Sequence, residues 1–94
     1  SPKVFIAHFG TMAKQKALQL AFLLRENCIP TLFAFGDRSM KSQMREANRH
    51  QVRCVVLIGE SELEKDIISV KDLQTSQQVE IPLKDIVAYC KEKI

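Results

Sequence analysis

The stretch Val55–Gln78, VVLIGESELEKDIISVKDLQTSQQ, decides how this chain folds. With Cys54 before it, Val55-Val56-Leu57-Ile58 is apolar at every position, which marks a strand covered on both faces. Gly59-Glu60 ends that run, and Ser61–Lys65 reads as a short helical turn. Ile67–Leu73 and Gln77–Ile81 alternate between apolar and polar residues. Gln74-Thr75-Ser76 joins them, so the pair reads as an antiparallel hairpin with one face covered. A fully covered strand leading into a half-covered hairpin predicts a mixed sheet.

Working back toward the N-terminus, Val4-Phe5-Ile6-Ala7-His8-Phe9 is a second continuous apolar run, closed by Gly10, and reads as a central parallel strand. Thr11 is placed to cap a first helix. Ala13, Ala17, Leu20, Ala21 and Leu24 recur at helical spacing, with Lys14, Lys16 and Gln19 turned outward. Pro30 is the stop signal for that helix. Thr31–Phe35 reads as a short aromatic-rich strand. After the turn Gly36-Asp37-Arg38, Ser39 is a good N-cap for a second helix, whose narrow apolar stripe is Met40, Met44 and Ala47. Pro82 opens the last helix, where Leu83, Ile86, Val87 and Cys90 share a face. The order β-α-β-α-β-β-β-α, read with a helical turn before the hairpin, predicts an α/β fold. It has a five-stranded mixed sheet, a parallel β-α-β-α-β core plus a C-terminal hairpin, flanked by three main helices.

Composition sets the bounds. Ninety-four residues, 46% hydrophobic and 27% charged, make one domain with a single core. The apolar runs are too short for a membrane span, and the N-terminal residues do not read as a signal peptide, so the expected location is cytoplasmic with no membrane partner. The three cysteines, Cys28, Cys54 and Cys90, are widely spaced. They form no CxxC or Cys/His cluster and read as reduced thiols in core or near-core positions, with no disulfide framework or zinc site. The net charge of +3 is modest, but Arg38 to Arg53 holds five Lys/Arg against one acid, Glu46. Lys41, Arg45 and Arg49, spaced four apart, lie on one face of the second helix. A local basic stripe of this kind suits a phosphate-rich partner, although many such stripes are only solvated helix faces.

Catalytic patterns are missing from the residues. Phe9-Gly10-Thr11-Met12-Ala13 supplies neither GxGxxG nor GxxxxGK[ST], so a nucleotide phosphate has no backbone cradle. His8 lies in an apolar strand and reads as a satisfied strand histidine. His50 sits at a helix C-terminus, where a cation is favourable anyway. Glu60, Glu62 and Glu64 read as a solvated helix start, a binding rim or a metal site. No His or Asp at ligand spacing supports the metal.

Taken together, Gly59-Glu60-Ser61-Glu62-Leu63, Ile68-Ser69-Val70-Lys71-Asp72-Leu73 and Arg38-Ser39-Met40-Lys41-Ser42-Gln43 resemble the C-terminal anticodon-binding domain of class IIa aminoacyl-tRNA synthetases. Within that group the chain looks most like the histidyl branch. The order and spacing of these words carry the resemblance, which runs from Val4 to the last helix. It implies a domain that binds the anticodon stem-loop of a tRNA. Catalysis, with ATP and Mg, would belong to a separate catalytic domain of a longer parent chain, a histidine–tRNA ligase expected to be a homodimer. No cofactor is implied for this domain. The resemblance casts Glu62 and Lys71 as base-reading residues, with Glu60 and Asp72 as neighbours. It casts Arg38, Ser39, Lys41, Gln43, Arg45 and Arg49 as contacts to loop or phosphate. The chain departs from the family's wording in two turns: Glu64-Lys65-Asp66 stands where a Gly is usual before the fourth strand, and Thr75-Ser76 stands for Thr-Gly. Two other readings stay open. One is a synthetase-derived regulatory or dimerisation module, as in synthetase-like regulatory subunits or a kinase. The other is a flavodoxin-like small-ligand domain, which lacks its acidic or glycine-rich strand ends here.

Overall fold

A computed structural model describes residues 2–94. Five strands form one sheet in the order β2-β1-β3-β4-β5. They are β1 (Val4–Phe9), β2 (Thr31–Phe33), β3 (Cys54–Gly59), β4 (Ile67–Asp72) and β5 (Gln78–Pro82). β1 runs parallel to both β2 and β3, and β4 and β5 are antiparallel additions. The helices are α1 (Thr11–Glu26), α2 (Met40–Arg49), the single turn α3 (Glu60–Glu64) and α4 (Ile86–Lys93). This is the mixed sheet the sequence predicts. β1 and β3 occupy its centre because their residues are apolar on both sides, whereas β4 alternates buried and half-buried positions.

The two faces of the sheet are covered unequally. On one face, Val4 and Ile6 of β1, Cys54, Val56 and Ile58 of β3, and Ile68 and Val70 of β4 pack against Ala13, Ala17, Leu20, Ala21 and Leu24 of α1 and Ile86 and Cys90 of α4. On the other face, Phe5, Ala7, Val55 and Leu57 pack with Ala34, Val52 and Ala47 of α2. That second cluster reaches β4 only through Leu73 at its end. Register puts Ser69 opposite Leu57 and Lys71 opposite Val55, and then Glu80 opposite Ser69 and Gln78 opposite Lys71. Side chains alternate across a strand, so these four polar residues lie on the α2 side of the sheet, beyond the strands that α2 covers.

Several local features differ from the sequence reading. Gly10, with φ of 105°, is the N-cap of α1, and Thr11 is its first helical residue. α1 ends at Glu26, short of Pro30, because Cys28 takes a left-handed conformation (φ 64°). Cys28 is exposed, so only Cys54 and Cys90 fill core positions. Burial pushes both of those thiols up, Cys90 to about 12, which keeps them unreactive. β2 stops at Phe33, two residues before the expected end at Phe35. Pro82 closes β5, and a 3-10 turn at Leu83–Asp85 precedes α4.

Both turns that depart from the family's wording need an unusual backbone. Asp66 (φ 55°) and Ser76 (φ 63°) both sit in the left-handed region, where glycine carries no Cβ penalty. We expect Ser76→Gly to stabilise the fold by about 0.5–1 kcal/mol, the left-handed penalty less the extra unfolded-chain entropy of glycine. Asp66→Gly should gain less, because Asp tolerates this region better. Urea unfolding midpoints at constant m-value check both.

Candidate nucleic-acid interface

The basic face of α2 is built on a capped, anchored helix. The Ser39 hydroxyl accepts from the Ser42 N–H at 3.1 Å, the N-cap bond expected from the sequence. Ala47 and Gln43 are the buried residues of α2, whereas Met44 is half-buried and Met40 exposed. The apolar stripe is therefore narrower than Met40, Met44 and Ala47 suggest. With that side held down, Lys41, Arg45 and Arg49 all stand exposed. None of the three has an ion-pair partner among the described residues. Arg38 differs. Its guanidinium folds back onto α2, donating to Ser42 Oγ at 3.1 and 2.9 Å and pairing with Glu46. Arg38, Ser42, Arg45, Glu46 and Arg49 line a shallow pocket of about 170 Å³.

Gln43, implied to be a loop contact, is instead fully buried. Its Oε1 accepts from the His8 backbone N–H at 2.9 Å, and its Nε2 donates to the His8 and Arg38 carbonyls at 2.9 and 2.8 Å. The cause lies in β2. The last β1–β2 rung pairs Ile6 with Phe33, so His8 has no strand partner on that side. The primary amide of Gln43 supplies the missing donor and acceptor. The His8 ring is also occupied: its Nε2–H donates to the Ala34 carbonyl at 2.8 Å.

The four proposed readers separate into different roles. Asp72 is buried and faces the α1/α4 side, in register with Cys54. Arg53 donates to both of its oxygens, at 3.2 and 3.0 Å, and the Gln74 and Thr75 N–H groups donate to Oδ1 at 2.8 and 3.3 Å. The Arg53 guanidinium, aided by those backbone donors against the opposing effect of burial, lowers the Asp72 carboxyl to about 2. Asp72 therefore ties the hairpin turn to Arg53 and is not available to a base. Glu60 lies against Gly10, where a β-carbon would overlap its carboxylate. α1 has neither a capping side chain nor an acid in its first turn, so Glu60 supplies negative charge there from a neighbouring element.

Glu62 and Lys71 remain half-buried at the surface. They are not neighbours. Glu62 folds over Gly59 at the carboxyl end of β3 and accepts from the Ser61 hydroxyl at 2.5 Å. Lys71 pairs in register with Val55. Gly59 lies four positions beyond Val55, about 13 Å at the usual rise. The nine-residue spacing in sequence thus spans the length of one strand. Between the two ends lies the uncovered polar face of β4 and β5. Gln78 and Glu80 are exposed on it, and the sequence patterns give them no role. Their alternation with Val79 and Ile81 is visible in the chain, but the side they face depends on the register with β4. Among the described residues, no three His, Cys, Asp or Glu side chains gather as a metal site.

A five-stranded sheet with a basic helix beside an open polar face suits recognition of a phosphate-bearing partner. Residues 3–93 match the family model described as "Anticodon binding domain", and the chain belongs to that family. Its relatives include histidine–tRNA ligases. The one from Thermosipho africanus is 35% identical over 92 residues, covering 98% of this chain and 22% of the ligase. The one from Caldicellulosiruptor saccharolyticus is 37% identical over 93 residues, covering 99% of this chain and 22% of the ligase. The chain therefore spans about a fifth of the length of these relatives. The crystal structure of apo Staphylococcus aureus histidyl-tRNA synthetase superposes with a TM-score of 0.89 at 32% identity, over 95% of this chain and 26% of that one. The RNA-binding domain of threonyl-tRNA synthetase from Cryptosporidium parvum shares the fold, with a TM-score of 0.87 at 13% identity, over 98% of this chain and 23% of that one.

Two measurements test the structural roles assigned here. Gln43→Leu keeps the volume but strands the His8 amide and carbonyl, and should cost about 2–4 kcal/mol in urea unfolding. For Asp72, the folded carboxyl is the more acidic, so its contribution is complete above the ordinary carboxylate range and fades as pH falls from about 4 toward 2. Asp72→Asn should therefore be less stable than the parent chain at neutral pH. The two stability curves should converge as pH approaches about 2.

Proposed function

We propose that this chain recognises the anticodon stem-loop of a tRNA, as the anticodon-binding part of a histidine–tRNA ligase. The observation that carries the reading is the combination of three exposed cations on α2, without ion-pair partners among the described residues, with an uncovered polar sheet face on the same side of the sheet. Lys41, Arg45 and Arg49 hold loop phosphates, which fixes the register of the RNA without reading its sequence. Lys71, rising from the sheet floor beside α2, donates to a base carbonyl or ring nitrogen. Glu62, at the far end of the same face, accepts from a base amino or imino group. An unpaired loop exposes the Watson–Crick edges that such side chains address. The length of the ligase relatives supports a longer parent. In our reading that parent joins histidine to its tRNA with ATP and Mg in a separate domain, works as a homodimer and resides in the cytoplasm. That the relatives named above are ligases favours this reading over a regulatory module.

Titration against anticodon stem-loops at two salt concentrations tests the reading. Lys71→Ala should weaken binding by about 1–3 kcal/mol and relax base preference. Lys41→Ala and Arg45→Ala should weaken binding to every loop alike and flatten the salt dependence by about one phosphate contact each. Unchanged affinity and preference in Lys71→Ala would remove the base-reading role.

A further inference from the structure

The open face of β4 and β5 carries more recognition chemistry than Lys71 alone. Register places Lys71 beside Gln78 and Ser69 beside Glu80, making a two-by-two array of polar side chains on adjacent strands. Directly opposed residues in such a pair stand about 5 Å apart at Cβ, and diagonal ones about 7–8 Å. None of these four side chains makes a hydrogen bond or an ion pair to the rest of the protein among the described residues. Other polar side chains near the sheet are tied up: Gln43 by His8, Asp72 by Arg53, Arg38 by Glu46. The array is therefore held on a rigid strand pair with its donors and acceptors free. It contains no aromatic side chain, so it cannot act as a stacking platform and offers only hydrogen-bond readout.

Charge selects the occupant. An acid on a surface flanked by Lys41, Arg45, Arg49 and Lys71 repels phosphate, so it adds nothing to general RNA affinity. It does favour a group that presents two adjacent N–H donors. A guanine presents its N1–H and N2 amino hydrogens side by side, matching the two oxygens of one carboxylate. We infer that Glu80 reads a guanine of the anticodon through those two hydrogens, and that Gln78 and Lys71 contact the adjoining base, with Ser69 between them. This rests on the tRNA-binding reading above and names further specificity residues on the same surface. The α2 cations then supply affinity, and the β4–β5 pair supplies discrimination.

The test measures binding of the chain to a stem-loop bearing the histidine anticodon, and to loops in which each guanine is replaced singly by inosine, which lacks only the N2 amino group. The parent chain should lose about tenfold in affinity at one of these replacements. Glu80→Gln should bind the parent and inosine loops equally at that position, because its amide no longer offers two acceptors. Glu92→Gln removes the same charge from an exposed site on α4, across the sheet, and should leave the ratio unchanged. Gln78→Ala should lower discrimination at the neighbouring base. If Glu80→Gln strengthens binding to all loops alike and preserves the inosine ratio, Glu80 is only a repulsive surface charge and the inference is overturned. The tRNA-binding reading would survive that result. If the parent chain binds no stem-loop at low salt, both fall. Thermal melting of each variant confirms that the exposed substitutions leave the fold intact.

Discussion

β1 is buried at every position from Val4 to His8, and its backbone must find partners on both sides. β3 serves one side along the whole strand. β2 serves the other only as far as Phe33, and from there the Gln43 amide takes over the two backbone groups of His8. This single side chain joins α2 to the central strand and also donates to the Arg38 carbonyl, which draws in the segment leading to the helix. That anchor sets the rotation of α2. With Gln43 and Ala47 inward, helical geometry turns Lys41 and Arg45 to the opposite side, exposed. A buried amide thus sets the direction in which the basic face points.

Unequal coverage of the sheet has its own consequence. α1 and α4 together cover one face across β1, β3 and β4, whereas α2 alone packs on the other over the parallel strands. The two antiparallel strands are not covered by α2 on that side, where Ser69, Lys71, Gln78 and Glu80 are polar and Ile67 and Pro82 close one end. A sheet that is half-covered in this way offers a rigid floor with a charged wall beside it. That is a suitable surface for a flexible, phosphate-bearing loop whose bases must be held still to be read.

Much of the architecture is legible in the chain because periodicity reports burial directly. The continuous runs at Val4–Phe9 and Cys54–Ile58 fit only covered strands, and the alternation in Ile67–Leu73 fits only a half-covered one. Ser39 announces its helix through capping chemistry. The failures have physical causes. Thr11 has the right chemistry for a cap, but Gly10 takes the cap position with a backbone angle a threonine would resist. Asp72 follows a lysine in a sequence pattern of readers, yet strand alternation turns it to the opposite face, where Arg53 holds it. Gln43 looks like a polar helix residue available to a ligand, and no local pattern discloses that a strand thirty-five residues away lacks two hydrogen-bond partners.

The sequence by itself determined the number and kind of the elements, the family, and the clustering of positive charge on α2. All of these depend on residues close together in the chain. Only the tertiary structure decided which polar groups are free. Asp72, Arg38 and Gln43 are occupied by hydrogen-bond or ion-pair partners and Glu60 lies against the start of α1, whereas Lys71, Gln78, Ser69 and Glu80 come together through register alone. A side chain's availability is set by what folds against it, and that depends on long-range pairing which spacing within the chain does not encode.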